Sequence, residues 1–322
     1  MDRPRVVTSG AVSEIVRAVK AFAEEHLTGP PVCVGLSGGP DSTALTAAAV
    51  RAGLDVRALI VDHRLQAGSA DVADKAAAVA EMLGAEPVIV AVDVTGGGGP
   101  EAAARRARYT AFEAHRADRP VFLGHTLDDQ AETVLLGFAR GSGARSVAGM
   151  RPWAPPFARP LLGVRRATTV AACAELDVTP YDDPHNEDPR FTRVRLRREV
   201  MPLLEEVLSG GVAEALARTA RHLQFDVDVL EGMVDDHSAV VAGDTAECRD
   251  LEVLPGAIRL RLLRRWLLAN GATEPTETVV RAVDALITGW HGQGAVAIGG
   301  QPAFRTQVAR RGARLVIEHR DR

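Results

Sequence analysis

The stretch Pro31-Val-Cys-Val-Gly-Leu-Ser-Gly-Gly-Pro-Asp-Ser42 runs from a short apolar segment through paired glycines into an alanine-rich segment that ends at Arg51. Pro31–Leu36 reads as a buried strand, being short, apolar and bounded by turn residues. Ser42–Arg51 reads as a helix that opens near Asp41–Ser42. Between them, Gly38 and Gly39 carry no side chain to hold an anion away from backbone N–H groups. The helix start aims its unpaired N–H groups and positive dipole end at the same point, and Ser37 and Ser42 add hydroxyls. A bare glycine turn would read as an ordinary strand-to-helix connection with Asp or Ser as the cap. The whole string Ser37, Gly38, Gly39, Pro40, Asp41, Ser42 reads instead as a nucleotide phosphate loop. Asp41 would repel phosphate alone, so its natural partner is a Mg²⁺ ion bridging to the nucleotide. No lysine follows the glycines, so the G-x-x-x-x-G-K-[ST] pattern is absent.

Outward from this loop, apolar runs alternate with amphipathic ones. Strands are expected at Val56–Val61, Pro87–Val92 and Val121–Leu123, with helices at Ala70–Leu83, Glu101–His115 and Leu127–Phe138. That alternation predicts βαβ units and a doubly wound parallel sheet, with ligands beyond the carboxyl ends of the strands. After Arg140 comes a Gly- and Pro-rich connector to Pro160, a short helix at Val164–Leu176 and a polar loop at Thr179–Arg190. Helices follow at Val212–Val234, Ala257–Leu268 and Glu277–Ile287, then short strands at Ala295–Ile298, Ala303–Val308 and Ala313–Ile317. The expected fold class is α/β, with a smaller, mainly helical C-terminal domain ending in short strands; the domains are read as 1–208 and 209–322.

The 322 residues suit two domains. With 4% aromatic residues, alanine, valine and leucine must fill most of the core. A formal charge of −4 excludes a general polycation, so any nucleic-acid partner needs a local basic patch. Cys33, Cys173 and Cys248 form no C-x-x-C pair, which speaks against a zinc site or disulfide framework. With no apolar run of membrane-spanning length and no signal-peptide core, a cytoplasmic protein with no membrane partner is expected.

Gly124-His-Thr-Leu-Asp-Asp-Gln-Ala-Glu-Thr133 follows the fourth strand and enters a helix. Asp128 and Asp129 lie four and three residues before Glu132, so Glu132 shares a helical face with both. Such carboxylates suit a metal or an ammonium group, or merely complement the helix dipole. His125 stands at the strand end, where the ligand crevice belongs.

The phosphate-loop string resembles the PP-loop of the ATP-pyrophosphatase superfamily, which cleaves ATP to AMP and pyrophosphate. Gly124–Gly143 (GHTLDDQAETVLLGFARGSG) resembles the signature of tRNA(Ile)-lysidine synthetases. So do Arg159-Pro-Leu-Leu162, Asp183-Pro-His-Asn-Glu-Asp-Pro-Arg-Phe-Thr-Arg193, Val61-Asp-His63 and Glu101–Tyr109. The likeness spans about Pro31 to Leu204 and points to the shorter form of that family. Thr126 departs from it, standing where many members have a second histidine, and Val194 stands where asparagine is common. The resemblance implies a ligase that adenylates the 2-oxo group of the wobble cytosine in a CAU anticodon of tRNA(Ile), after which the ε-amine of free L-lysine displaces AMP. It implies ATP and Mg²⁺ as cofactors and Asp128, Asp129 and Glu132 as lysine-binding carboxylates. His125 is expected to orient the cytosine or take a proton, and Arg105 or Arg106 to neutralise phosphoryl charge. A solvated helix face is the equal alternative for those two arginines. A homodimer is left open.

Residues 140–198 hold eleven arginines against six acids in an acidic chain. Arg193, Arg195, Arg197 and Arg198 are therefore the expected tRNA contacts, against the alternative of a solvated amphipathic face. A second, weaker candidate is Arg259, Arg261, Arg264 and Arg265, interleaved with apolar residues. Three rival functions are a sulfur-inserting PP-loop enzyme, a small-molecule amidating ligase and a non-catalytic tRNA-binding protein. The first lacks its cysteine motif here, the second does not need the D-D-Q-A-E-T string, and the third needs neither motif.

Overall fold

The computed structural model describes residues 10–65, 68–97, 99–141, 143–181, 187–301 and 304–321. Asp183, Pro184, His185 and Asn186 of the quoted family segment lie outside them. Two compact units are present, residues 1–141 with 146–221, and residues 142–145 with 222–322.

In the first unit, β1 (Pro31–Gly35), β2 (Asp55–Asp62), β3 (Glu86–Ala91) and β4 (Val121–Leu123) form a parallel sheet. Two short strands, β5 (Trp153–Ala154) and β6 (Phe157–Ala158), extend it to the order β3-β2-β1-β4-β6-β5, with only β5 antiparallel. The sequence reads as connector here, because strands of two residues fall below any periodicity signal. Strand alternation sorts the core. Val32, Val34 and Phe122 face a layer built from α1 (Ala11–His26), α2 (Pro40–Arg51), α3 (Ser69–Leu83) and α7 (Arg166–Glu175). Cys33, Val121 and Leu123 face Phe112 and Tyr109 of α4 (Pro100–His115). Both sheet faces are covered, as a parallel sheet requires.

Helix α1 has no counterpart among the expected elements, although Ile15, Val19 and Phe22 recur at helical spacing and are all buried. Gly10 offers no side-chain cap. The Glu175 carboxylate supplies one from 164 residues away, accepting from Ala11 N at 2.7 Å and Val12 N at 3.1 Å.

Helix α5 (Leu127–Arg140) follows β4. The chain returns through α6 (Ala144–Val147), α7, α8 (Thr192–Arg195), a π-helical turn at Leu196–Val200 and α9 (Met201–Val207) to the long α10 (Val212–Asp236). Ala213, Leu216 and Ala217 of α10 pack on Leu127 and Ala131 of α5. This packing draws the first turns of α10 into the first unit, which runs to residue 221 where the expected boundary stood at 208/209.

The second unit packs α11 (Cys248–Glu252), α12 (Gly256–Ala269) and α13 (Glu277–Thr288) around Leu262, Leu263, Trp266 and Leu286. Its antiparallel sheet has the order β7-β8-β11-β10-β9. β9 (Val296–Gln301), β10 (Phe304–Arg311) and β11 (Arg314–Asp321) were expected as shorter strands, whereas β7 (Val241–Ala242) and β8 (Thr245–Glu247) were not.

Candidate active site

Strand β1 lies between β2 and β4, so the chain leaves it in opposite senses on either side, and a crevice opens at its carboxyl end. A cavity of about 620 Å³ occupies that place. Ser37 and Gly39–Ser42 of the phosphate loop, Asp62–Leu65 at the end of β2, Gly124 and His125 after β4, and Arg105, Arg108 and Tyr109 of α4 line it, with Asp129, Arg166, Tyr181, Arg193 and Arg197.

The loop is held by its own hydroxyls. Ser37 N donates to Ser42 Oγ at 3.2 Å, the two hydroxyls meet at 3.1 Å, and Ser42 Oγ donates to Gly39 O at 3.1 Å. Gly38 has φ +83°, which a side chain disfavours, and its carbonyl accepts from Tyr181 N at 2.9 Å. Pro40 at the first turn has no N–H, and the first helical bond runs from Thr43 N to Gly39 O at 3.0 Å. Gly124 brings the second motif to the loop. A Cβ there would stand 2.9 Å from Ser42 N and 3.0 Å from Asp41 C, so only glycine lets the end of β4 lie against the start of α2.

Asp41 faces the cavity but is not idle. Its Oδ1 accepts from Thr169 Oγ1, and its Oδ2 lies 3.4 Å from Arg166 Nη1. Burial pushes its carboxyl above the usual range, with Arg166 and Thr169 pulling it back. Among the described residues, no group of three or more His, Cys, Asp or Glu side chains is arranged to hold a metal. One carboxylate beside a phosphate loop still fits Mg²⁺, which commonly takes one or two protein carboxylates plus phosphates and water.

The three expected lysine carboxylates are not equivalent. Asp129 lines the cavity. Its Oδ2 accepts from Thr126 N and Oγ1, both at 2.8 Å, closing a capping box at the start of α5. Its Oδ1 accepts from Arg166 Nη2 at 2.7 Å and Arg197 Nη2 at 3.4 Å. Burial alone would raise its pKa, but Arg166, the Thr126 amide and His125 together hold it below the ordinary value. Glu132 is buried behind it, with Arg197 Nε at 2.8 Å from Oε1 and Nη2 at 3.3 Å from Oε2. There burial outweighs Arg197 and raises the carboxyl. Asp128 is turned away. Arg165 Nη1 takes its Oδ1 at 3.1 Å and Arg166 N its Oδ2 at 2.8 Å. The same Arg165 reaches Glu205 at 3.4 Å and Glu214 at 2.9 Å. Asp128, expected with the other two to bind lysine, is here engaged by Arg165 and fastens the start of α7.

His125 lines the cavity, and its Nδ1 is buried without a hydrogen-bond partner among the described residues. Burial lowers its pKa to about 4, so the imidazole is neutral at pH 7. Arg105 also lines the cavity, its guanidinium 4.8 Å from the Tyr109 ring centroid and donating to Tyr109 Oη at 3.1 Å. Arg106 turns instead to the Gly97 carbonyl. Arg108, which lies in the quoted stretch Glu101–Tyr109 but is not among the expected site residues, lines the cavity and lies 3.4 Å from His63 Nε2. Arg166, Thr169 and Tyr181 are likewise absent from the expected site residues. They come from α7 and the loop after it, and no local motif marks them.

The four arginines expected as one patch are divided by the helix. Arg193 and Arg197, four residues apart, turn inward. Arg193 donates to Thr133 Oγ1 at 3.3 Å and lies 3.7 Å from Glu132. Arg195 and Arg198 turn outward, Arg195 onto Glu199 at 2.8 Å and Arg198 onto Glu187. Arg259 and Arg265 of the second unit are likewise paired, with Asp284 and with Glu231 and Asp235.

Residues 12–204 match the family model of the PP-loop domain, and residues 247–316 that of the TilS substrate binding domain. The tRNA(Ile)-lysidine synthase of Nocardia farcinica is 55% identical over 311 residues, 95% of this chain and 98% of that protein. This chain belongs to the tRNA(Ile)-lysidine synthase family. The family member from Rhodococcus opacus is also 55% identical, across 97% of each chain. Among solved structures, the U34-tRNA thiolase NcsA from Methanococcus maripaludis matches with a TM-score of 0.55 at 19% identity, over 66% of this chain and 80% of that one. That likeness concerns the fold alone. Here all three cysteines are free and buried, and burial pushes the Cys33 and Cys173 thiols up to about 11, where they are inert packing groups. Among the described residues, no helix is long and apolar enough to cross a membrane.

Proposed function

We propose that the chain joins the ε-amine of free L-lysine to C2 of the wobble cytidine in the CAU anticodon of tRNA(Ile), in two steps within the one cavity. In the first, cytosine O2 attacks the α-phosphorus of ATP and pyrophosphate leaves. In the second, the lysine amine attacks C2, loses a proton, and AMP departs with the former O2. The observation that carries this reading is the convergence of the phosphate loop and Asp129 on one cavity. Either alone would suit many enzymes.

Ser37–Ser42 hold the phosphates, through backbone N–H groups and hydroxyls at the start of α2. Asp41 would hold Mg²⁺, which when bound neutralises charge on the departing pyrophosphate. Arg105 and Arg108, both in the cavity, supply further positive charge for the phosphoryl group. Asp129, backed by Glu132, receives a lysine ammonium group. A pKa of about 4 makes His125 a weak base, so its role is to orient the cytosine by hydrogen bonding. The outward Arg195 and Arg198 meet RNA phosphate.

Pyrophosphate release from ATP, measured with and without tRNA and lysine, tests the proposal. Release should depend on the tRNA, and labelled lysine should appear on it. ATP cleavage indifferent to RNA, or no lysine on the RNA, would overturn it.

A further inference from the structure

Arg166 stands where the two halves of the reaction meet. One terminal nitrogen lies 3.4 Å from Asp41 of the phosphate loop, and the other donates to Asp129 at 2.7 Å. Its backbone N–H is fixed on Asp128, so the start of α7 is anchored while the guanidinium spans the cavity wall. Its Nε is buried and finds no hydrogen-bond partner among the described residues. A buried charged donor left unpaired is costly, so this guanidinium is incompletely satisfied and retains capacity for another acceptor.

We propose that Arg166 is a shared counter-ion that couples nucleotide binding to lysine binding. Without substrates it is shared between Asp41 and Asp129. A nucleotide in the phosphate loop places oxygen anions beside Asp41, and a guanidinium prefers the bidentate geometry that phosphate offers. As Arg166 shifts toward phosphate, Asp129 Oδ1 loses its closest donor. Oδ2 stays committed to the helix cap, so Oδ1 is the oxygen released for an incoming ammonium group. Lysine therefore binds more tightly once the nucleotide is in place, and by reciprocity the nucleotide binds more tightly once lysine is. Arg166 acts here as a positioning residue.

The inference rests on reading Asp129 as part of the lysine site, and the experiment separates the two. Binding of radiolabelled lysine to the full chain is measured by equilibrium dialysis, with and without α,β-methylene-ATP, whose α–β link resists cleavage. The analogue should tighten lysine binding by about tenfold in the wild type and leave it unchanged in Arg166→Gln. Arg166→Lys, which keeps the charge but not the fork, should show a reduced response and serves if the glutamine variant fails to fold. Equal lysine affinity with and without the analogue in the wild type, or a full response in both variants, overturns the coupling role. Unchanged lysine affinity in Asp129→Asn shows instead that the lysine site lies elsewhere, and the inference falls with that reading.

Discussion

At single residues, the phosphate loop and His125 make separable demands. Asp41 is the one loop carboxylate facing the cavity, so Asp41→Asn keeps its size and its Thr169 hydrogen bond while removing the charge. Pyrophosphate release should fall by at least about a hundredfold, the scale of removing one charge-stabilising group, with an unchanged melting temperature. Release at the wild-type rate would remove Asp41 from the mechanism. His125 predicts a pH dependence. Its folded pKa of about 4 lies below the unfolded value of 6.5, so between these limits the unfolded chain binds more protons, and stability falls as pH falls. Relative to His125→Gln, the unfolding free energy of the wild type should fall as pH falls through that window, by at most about 1.4 kcal/mol per pH unit. Denaturant titrations at pH 7, 6 and 5 measure it, and parallel curves would mean that the imidazole is not held neutral.

Among the elements, the approach of β4 to α2 and the anchoring of α7 carry the site. Gly124→Ala inserts a methyl group against the Asp41–Ser42 backbone, where a rigid turn has no room to yield. ATP binding should weaken at least about tenfold while the parallel sheet survives, as overpacking typically costs about 1–3 kcal/mol; calorimetric titration with ATP decides this, and wild-type affinity would show that the loop can move. The carboxylates of α5 should separate by role. Asp129→Asn and Glu132→Gln should raise the lysine KM by about tenfold or more, the scale of a hydrogen bond to a charged group. Asp128→Asn should leave that KM within about threefold and lower the melting temperature instead, because it loosens Arg165 and the start of α7. A lysine KM that rises equally in all three would put Asp128 back in the binding site.

For the whole molecule, RNA binding must be local, because the net charge is −4. Arg195 and Arg198 are the outward members of the arginine segment, and Arg195→Glu with Arg198→Glu avoids the inward Arg193 and Arg197. tRNA affinity should fall, and the slope of log K against log salt should shrink by about 0.7 to 0.9 for each phosphate no longer neutralised. ATP affinity should be unaffected. A folded double variant with unaltered tRNA affinity and salt slope would place the RNA on another surface.

The sequence by itself determined the βαβ order, the phosphate loop and the acidic motif, because each is written in neighbouring residues. Period and turn chemistry act over a few positions, so β1 to β4, Ser37–Ser42 and Asp128–Glu132 are legible in it. Helix α1 is equally legible from the spacing of Ile15, Val19 and Phe22, although it was not among the expected elements. Tertiary structure alone decided which way the charged side chains turn. Asp128 and Asp129 are adjacent, yet one holds the start of α7 and the other lines the cavity. Arg193 and Arg197 point in, while Arg195 and Arg198 point out. Arg166, 125 residues beyond Asp41 in the chain, reaches it only because α7 packs against α2. A charged group settles beside whichever counter-charge burial brings within a few ångströms, because the unpaired alternative is so costly in a dry interior. That partner comes from distant chain, so no local pattern can name it.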